Sequence, residues 1–232
     1  PLPPITPNLD SFIGNKCSLF IEIYMSFNHL LLVGGGHTNV LLMQKWLMKP
    51  KSMPDIPITI ISRDSYLVYS SMYPSVISNS INLKDSLIDI SSLANRTKIS
   101  FIQSEVKNID FLNKKIIVKD RPCIHYSKMI LNCGMGTNIP TEFKDLLAKK
   151  IAFPIRPFDQ SFQLIKNEDA FNSEKELPFV IVGSGLAAIE IAFALRKRWE
   201  KRSIILACDY KKISKKFLKA LKESDIKLAV NI

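Results

Sequence analysis

The chain lacks features that several large protein classes require. A run of about 18 uncharged apolar residues, which a membrane-spanning helix needs, is missing. There is also no Walker loop, no pair of catalytic carboxylates and no serine–histidine–aspartate triad. The cysteines lie far apart and form no Cys-x-x-Cys pair, which excludes a zinc ribbon and a local redox disulfide. There are four of them, Cys17, Cys123, Cys133 and Cys208.

Acidic residues are outnumbered by basic ones. The 232 residues include 32 Lys and Arg against 21 Asp and Glu, a formal net charge of +11. Such an excess is typical of proteins that bind nucleic acid or an anionic membrane. The basic residues fall in short clusters rather than in one long stripe, so we expect them on solvated helix faces and turns. We therefore expect no nucleic-acid partner, while peripheral contact with a membrane stays open.

A regular α/β pattern begins at His29. Residues 29–33 form an apolar run, glycines follow at 34–36, and residues 39–48 carry apolar side chains at helical spacing. The β-branched run at 58–61 then predicts a second buried strand. Strand, helix and strand in this order make a βαβ unit, which implies a parallel sheet.

The same order returns near the end of the chain. Residues 179–182 predict a fully buried strand, residues 186–199 an apolar helix and residues 203–207 the next strand, after a polar linker at 167–176. The sequence therefore predicts an α/β fold with two Rossmann-like domains, each built on a parallel sheet.

In both units a glycine turn follows the first strand and opens the helix. The start of a helix presents unpaired N–H donors and a partial positive charge, and Gly-x-Gly-x-x-Gly or Gly-x-Gly-x-x-Ala lets a dinucleotide pyrophosphate approach closely. In the first turn Gly34, Gly35 and Gly36 are in place, with His37 beside them. The third glycine position is Asn39, which either holds the helix slightly away from the sheet or caps it.

The second turn matches the pattern better. Gly183, Gly185 and Ala188 follow a strand directly and open a helix. A glycine turn in an unrelated α/β sheet remains the alternative at each position. Two such turns together predict a flavin nucleotide at the first and a nicotinamide nucleotide at the second. Because no side chain offers a redox centre, hydride has to pass between the two cofactors, so the residues predict a flavoprotein.

A carboxylate at the end of the strand after each helix can accept hydrogen bonds from a ribose. In the first unit the sequence there is Arg63-Asp64, so Asp64 stands one position late. In the second unit Asp209 takes this place, somewhat beyond the roughly 20 positions that are usual. A carboxylate here favours NAD over NADP, although Lys211 and Lys212 weaken that inference.

Three stretches together are typical of one family. They are residues 31–38, residues 126–134 running on to Pro140, and residues 179–190. In these the chain resembles the pyridine nucleotide-disulfide oxidoreductase superfamily of flavoproteins, and within it the type II NADH dehydrogenase-like branch. The resemblance implies FAD and NAD(P)H as cofactors and a cofactor contact at Gly134, where the second FAD motif ends. Without a Cys-x-x-Cys pair, disulfide reduction is disfavoured.

A narrower resemblance rests on residues 69–74, which begin with Tyr69. This stretch is similar to the flavoprotein portion fused to selenide, water dikinase in some bacteria. Within it, Tyr69 and Tyr73 either shield the flavin or serve packing. The family resemblance covers residues 28–232, whereas a full family member continues further, so we expect a truncated protein. The expected domains are an extension at 1–24, the first part of an FAD-binding domain at 25–150, a helix and linker at 151–177, and an incomplete NAD(P)-binding domain at 178–232.

The expected function is that of an FAD-dependent oxidoreductase. It would take hydride from NAD(P)H, with NADH favoured, and pass electrons to an acceptor that the sequence does not identify. The alternative is a truncated, non-catalytic nucleotide-binding fragment, and the two differ in whether the chain retains flavin. Well-separated cysteines suit a reducing cytoplasm, and no metal site is expected.

Overall fold

The computed structural model describes residues 28–134, 139–171 and 176–229. The chain folds as two compact units. The described part of the first unit comprises residues 28–67 and 89–134, and that of the second comprises residues 68–88, 139–171 and 176–229. The extension predicted over residues 1–24 lies outside the described residues.

The helices and strands follow one another largely as the sequence predicts. No helix in the described ranges is long and apolar enough to cross a membrane. In chain order the elements are β1 (Leu30–Val33), α1 (His37–Met48), β2 (Ile58–Ser62), β3 (Tyr66–Val68), α2 (Tyr73–Ile77), β4 (Leu87–Asp89), α3 (Ile90–Arg96), β5 (Ser100–Gln103), β6 (Val106–Asp110), β7 (Lys115–Val118), β8 (Ile124–His125), β9 (Lys128–Leu131), α4 (Lys144–Ala148), α5 (Phe158–Asn167), β10 (Phe179–Val182), α6 (Leu186–Arg198), β11 (Ile204–Ala207), α7 (Lys215–Glu223) and β12 (Ile226–Ala229).

The first unit is built on a parallel sheet with the strand order β5–β2–β1–β9. Leu30 at the start of β1 lies opposite Ile58 of β2 and Lys128 of β9. All four residues of β1 are buried, as an uninterrupted apolar run predicts for a strand covered on both faces. The α/β fold class is therefore confirmed, and β1 delivers the first glycine turn to the centre of the sheet.

A small antiparallel sheet with the order β6–β7–β8 packs against this parallel sheet. Ile116 and Val118 of β7 share one buried cluster with Leu31 and Val33 of β1. Residues 99–106 do not form one strand, because the chain changes sheets there and β5 and β6 are separate strands.

The second unit contains a parallel sheet with the order β10–β11–β12, joined by α6 and α7. Residues 68–88 belong to this unit, and within them Tyr73 is almost fully buried, at 1% exposure. The Tyr73 hydroxyl donates to the Phe158 carbonyl at 3.0 Å and lies 2.6 Å from Ser161 Oγ. Burial raises the pKa of Tyr73 to about 12. Tyr73 thus joins α2 to α5 as a neutral, packed side chain.

One face of β10 is not buried. Val180 and Val182 are 48% and 57% exposed, and their neighbours on the strand are only half-buried. The sequence predicted a fully buried strand here, which was wrong. Among the described strands β10 pairs with β11 alone, so only one of its edges is covered.

Two acidic residues of the predicted linker hold the end of α6. Both carboxylate oxygens of Asp169 accept hydrogen bonds from Arg198 at 2.6 Å, and Trp199 Nε1 donates to Asp169 at 2.9 Å. Glu168 pairs with Arg202 at 2.7 Å. Burial alone would raise the pKa of Asp169, but the hydrogen bonds from Arg198 and Trp199 outweigh it and hold that pKa below its ordinary value.

We expect Asp169→Asn to lower the free energy of unfolding by about 2 kcal/mol at pH 7, because the buried Arg198 guanidinium loses its ionised partner. The pKa of Asp169 is lower in the folded than in the unfolded chain. Its contribution is therefore complete above the ordinary aspartate pKa of about 3.9 and is lost as the pH falls through the folded value. Urea unfolding curves of the two proteins should converge in acid. Asp145→Asn, at an exposed position of α4, is the matched control, and a difference that persists undiminished in acid would contradict this account.

Candidate functional site

The first glycine turn is held between the two strands that flank β1. Gly34 donates its N–H to Ile61 of β2 at 2.7 Å, and the N–H of Asn132, just after β9, donates to Val33 at 2.7 Å. Gly34 has a φ of +91°, a conformation that glycine adopts at little cost. A Cβ at this position would collide with the backbone of Asn132 and Cys133. Close packing against the end of β9 therefore requires this glycine.

Asn132 also contacts the start of α1. Its carbonyl accepts the N–H of Gly36 at 3.1 Å, and its side-chain Oδ1 accepts the N–H of Thr38 at 2.9 Å. Gly36 is the N-cap residue of α1 and has no side chain to satisfy these donors. Asn132 therefore provides, from a neighbouring strand, the oxygen that an N-cap serine or aspartate would provide. This role was not predicted. The one feature of the sequence that could have indicated it is an amide side chain directly after a strand.

Asn39, at the third glycine position, is fully buried in the first turn of α1. The expectation that Asn39 caps the helix was wrong, because Gly36 is the N-cap residue. Asn39 Nδ2 donates to the carbonyls of Gly34 at 2.8 Å and Val33 at 3.4 Å, and a slight displacement of the helix from the sheet stays a prediction. Asn39 Oδ1 is buried without a hydrogen-bond partner among the described residues. The hydrogen bonds from Nδ2 therefore stabilise the turn. The buried Oδ1, which stays an unsatisfied acceptor, opposes part of this stabilisation.

The other residues predicted around the first turn lie near it in different ways. Gly35 faces Ser62 and Ile90, which a Cβ would meet, and His37 is the first residue of α1. Gly134 follows β9 with a φ of +75°, and no atom of the described residues lies within 4 Å of the position of its Cβ. The chain after β9 therefore passes the turn at Asn132 before it reaches Gly134.

Asp64 and Tyr69 are not part of the first glycine turn. Asp64 lies two residues beyond β2 and forms an exposed ion pair with Arg63 at 2.8 Å. Tyr69 belongs to the second unit, where its N–H donates to the Ser86 carbonyl at 2.8 Å. Their predicted contacts with a flavin nucleotide stay predictions.

The second glycine turn joins β10 to α6. Gly183 donates its N–H to Ala207 of β11 at 3.0 Å, and a Cβ on Gly183 would lie 3.1 Å from the Ala188 Cβ. The first and third positions of this motif therefore serve close packing of helix on strand. Gly185 is the N-cap residue of α6, and no atom of the described residues lies within 4 Å of the position of its Cβ. This is the open space that a pyrophosphate needs in order to approach the backbone.

Asp209 lies beside the second turn. Its N–H donates to Ser184 Oγ at 2.8 Å, so the hydroxyl of the middle residue of the turn joins it to the end of β11. The exposed carboxylate accepts the N–H of Lys211 at 3.1 Å and lies 3.5 Å from Lys212 Nζ. Ser184 was not predicted as a site residue. The feature that could have indicated it is a serine between the two glycines of the turn.

The two turns differ in how well they accept a pyrophosphate. The second combines the start of a 13-residue helix, an open glycine and a nearby carboxylate, and these residues fit a dinucleotide. The first has the same backbone plan, but the Asn132 carboxamide lies against Gly36. Within the described ranges no group of three or more His, Cys, Asp or Glu side chains is placed to hold a metal ion.

Comparison with known proteins gives one family and several relatives. The pyridine nucleotide-disulphide oxidoreductase family matches residues 28–232. The chain is 27% identical to the NADH dehydrogenase-like protein YutJ of Bacillus subtilis over 76% of this chain and 47% of that protein. It is 22% identical to a type II NADH:quinone oxidoreductase of Staphylococcus saprophyticus over 73% of this chain and 43% of that one. The chain thus spans about half the length of the curated relatives it matches.

A solved structure gives the same fold. The NADH:rubredoxin oxidoreductase of Clostridium acetobutylicum superposes with a TM-score of 0.65 at 22% sequence identity, covering 88% of this chain and 53% of that chain. At this identity the likeness concerns the fold alone.

We expect Asn39→Ala to lower the free energy of unfolding by about 1 kcal/mol, because it removes the Nδ2 hydrogen bonds together with the unsatisfied Oδ1. Asn39→Asp should cost more, about 3 kcal/mol, because a buried carboxylate would face the Gly34 and Val33 carbonyls. Urea titration at pH 7 measures both. Equal losses in the two variants would contradict the assignment of Nδ2 as the group that holds the turn.

Proposed function

The chain belongs to the pyridine nucleotide-disulphide oxidoreductase family, and we propose that it acts as an FAD-dependent oxidoreductase that takes hydride from NAD(P)H. The family implies FAD and a nicotinamide nucleotide as cofactors. NADH is the favoured donor, and a quinone is the proposed acceptor because the staphylococcal relatives are named NADH:quinone oxidoreductases. We place this activity in the cytoplasm, where well-separated free cysteines such as Cys123 and Cys208 stay reduced.

One observation carries the proposal. Two glycine turns, each between a parallel strand and the start of a helix of 12 or 13 residues, occur in one chain, one in each unit. A single turn of this kind supports one nucleotide, whereas two support a pair of cofactors between which hydride moves. The unit that contains residues 28–67 and 89–134 is the proposed FAD-binding part, and the unit that contains residues 176–229 the proposed NAD(P)-binding part.

The residues of the second unit have separate proposed roles. Gly185 admits the pyrophosphate to the N-terminus of α6, where unpaired N–H groups and the helix dipole stabilise negative charge. Asp209 accepts hydrogen bonds from the adenosine ribose, and its charge repels a 2′-phosphate. Gly183 and Ala188 hold the helix close to the strand so that these groups stay in place.

In the first unit Gly34, Gly35, Gly36 and His37 form the proposed pyrophosphate turn for FAD. Asp64 and Gly134 are further proposed contacts, and the contact of Tyr69 with the flavin stays a prediction. When bound, FAD supplies the two-electron chemistry; the chain binds the cofactor and orients it. The narrower resemblance of residues 69–74 to the flavoprotein portion fused to selenide, water dikinase stays a prediction, as does the truncation.

A second candidate is a non-catalytic nucleotide-binding fragment. It is favoured by the Asn132 carboxamide, which lies against Gly36 and bonds to Thr38 where a flavin phosphate would approach. Such a fragment would bind a nicotinamide nucleotide at its second turn and leave FAD unbound.

Flavin binding separates the two candidates. We expect the purified, desalted chain to take up FAD with a visible flavin spectrum, and the bound flavin to bleach when NADH is added without oxygen. A colourless chain that takes up no added FAD, yet still binds NADH, would overturn the oxidoreductase proposal in favour of the fragment.

We expect Gly185→Val to weaken NADH binding at least about 100-fold, because the side chain would fill the space that the pyrophosphate needs. The fold should persist, since Gly185 has an ordinary φ of −82° and no atom of the described residues near the position of a Cβ. Gly183→Val is the matched comparison, because a φ of +151° strains any side chain there and its Cβ would lie 3.1 Å from the Ala188 Cβ. Calorimetric titration and circular dichroism should show lost binding in the first variant and lost structure in the second. NADH binding by Gly185→Val equal to that of the wild type would contradict the assigned role.

Asp209→Asn tests the choice of nucleotide. We expect about tenfold weaker binding of NADH, because a charged hydrogen-bond acceptor for the ribose is lost. NADPH should bind equally well or better, because its 2′-phosphate no longer meets a negative charge. Asp225→Asn, at an exposed position before β12, is the control. Equal losses for both nucleotides would show that Asp209 does not distinguish them.

A further inference from the structure

The two glycine turns differ at the one position where they should be most alike. At Gly185, the second glycine of its motif, no atom of the described residues lies within 4 Å of the position of a Cβ. At Gly36, the corresponding residue of the first turn, that position lies 2.6 Å from Asn132 Cγ and closer still to both Oδ1 and the backbone oxygen of Asn132. The backbone and the side chain of Asn132 together therefore lie against the second glycine of the first turn, where the second turn is open.

The Asn132 side chain also uses a donor that an anion would need. The N–H of Thr38 is among the first N–H groups of α1, which have no partner within the helix. In this chain it donates to Asn132 Oδ1 at 2.9 Å. The carboxamide thus meets the turn through the same kind of contact, oxygen to helix N–H, that a phosphate oxygen would make.

We propose that Asn132 is an internal occupant of the first turn, whose side chain has to rotate away before the phosphates of a flavin nucleotide can bind. This inference rests on the proposed function, because it concerns the turn assigned to FAD. The side chain is only half-buried, so rotation into solvent is open to it. The Gly36 N–H bond to the Asn132 carbonyl involves the backbone alone, so the turn keeps its shape when the side chain leaves.

The effect of Asn132 is a lower apparent affinity for FAD. FAD can bind only after the hydrogen bond between Asn132 Oδ1 and the Thr38 N–H is broken, so the free energy of that bond is subtracted from the free energy of FAD binding. A binding site that is closed in most molecules loses apparent affinity in the same way. The second turn carries no such occupant among the described residues, so its affinity for a nicotinamide nucleotide is independent of Asn132.

Asn132→Ala tests this inference, with FAD as the probe and flavin fluorescence quenching as the readout. We expect the dissociation constant for FAD to fall about five- to tenfold, while that for NADH stays within twofold of the wild type. Asn132→Asp keeps an oxygen on the Thr38 N–H but adds a negative charge beside the phosphates, so it should raise the FAD dissociation constant at least tenfold. Lys128→Ala, exposed at the opposite end of β9, is the control and should change neither value.

Amide hydrogen exchange of Thr38, followed by NMR without ligand, gives a second readout that does not depend on flavin. We expect slow exchange in the wild type and in Asn132→Asp, and fast exchange in Asn132→Ala. Equal or weaker FAD binding by Asn132→Ala, or a Thr38 amide that already exchanges fast in the wild type, would overturn the role of Asn132 and leave the oxidoreductase proposal standing. If Thr38 loses its protection in Asn132→Ala and still no variant binds FAD, both the inference and the flavin assignment fail.

Discussion

The backbone of the β1–α1 turn lies so close to the chain after β9 that side chains are excluded from it, and the first unit depends on this packing. Gly34 and Gly36 both face Asn132, and a Cβ on either would overlap it. Strand β9 is added to the sheet far along the chain, after a small antiparallel sheet has been inserted. The close fit at the turn is therefore a long-range contact that sets where β9 ends and where Gly134 turns away.

The second unit is held differently. In its glycine turn Gly183 packs close to Ala188 and hydrogen-bonds to Ala207 of β11, and the far end of the same helix is held by ion pairs. Arg198 and Trp199 both hydrogen-bond to Asp169, and Arg202 pairs with Glu168. These ion pairs lie at the opposite end of α6 from Gly185.

Much of this architecture was predictable from the sequence because its elements are local. The apolar run of β1, the helical spacing of α1 and the glycine motif at 183–188 each carry their signal within a few residues, and the structure forms them where expected. What could not be predicted depends on neighbours that are distant in sequence. Asn39 departs from the glycine motif, and its role depends on the hydrogen bond that its Nδ2 donates to the Gly34 carbonyl. The role of Asn132 depends on a strand about a hundred positions from the turn. The prediction that β10 is fully buried failed because an apolar run does not reveal how many neighbours a strand has.

The open side of β10 has a consequence for how these residues behave at high concentration. One edge of β10 pairs with no described strand, and the strand exposes Val180 and Val182 on one face; such an edge is a template on which another extended chain can pair. Neither proline nor lysine interrupts the strand from Phe179 to Val182, although such residues commonly protect edges of this kind. Solubility of the isolated 232-residue chain is thus expected to depend on whether something covers this edge, and a lysine in place of Val180 would be the least disruptive means of supplying that protection.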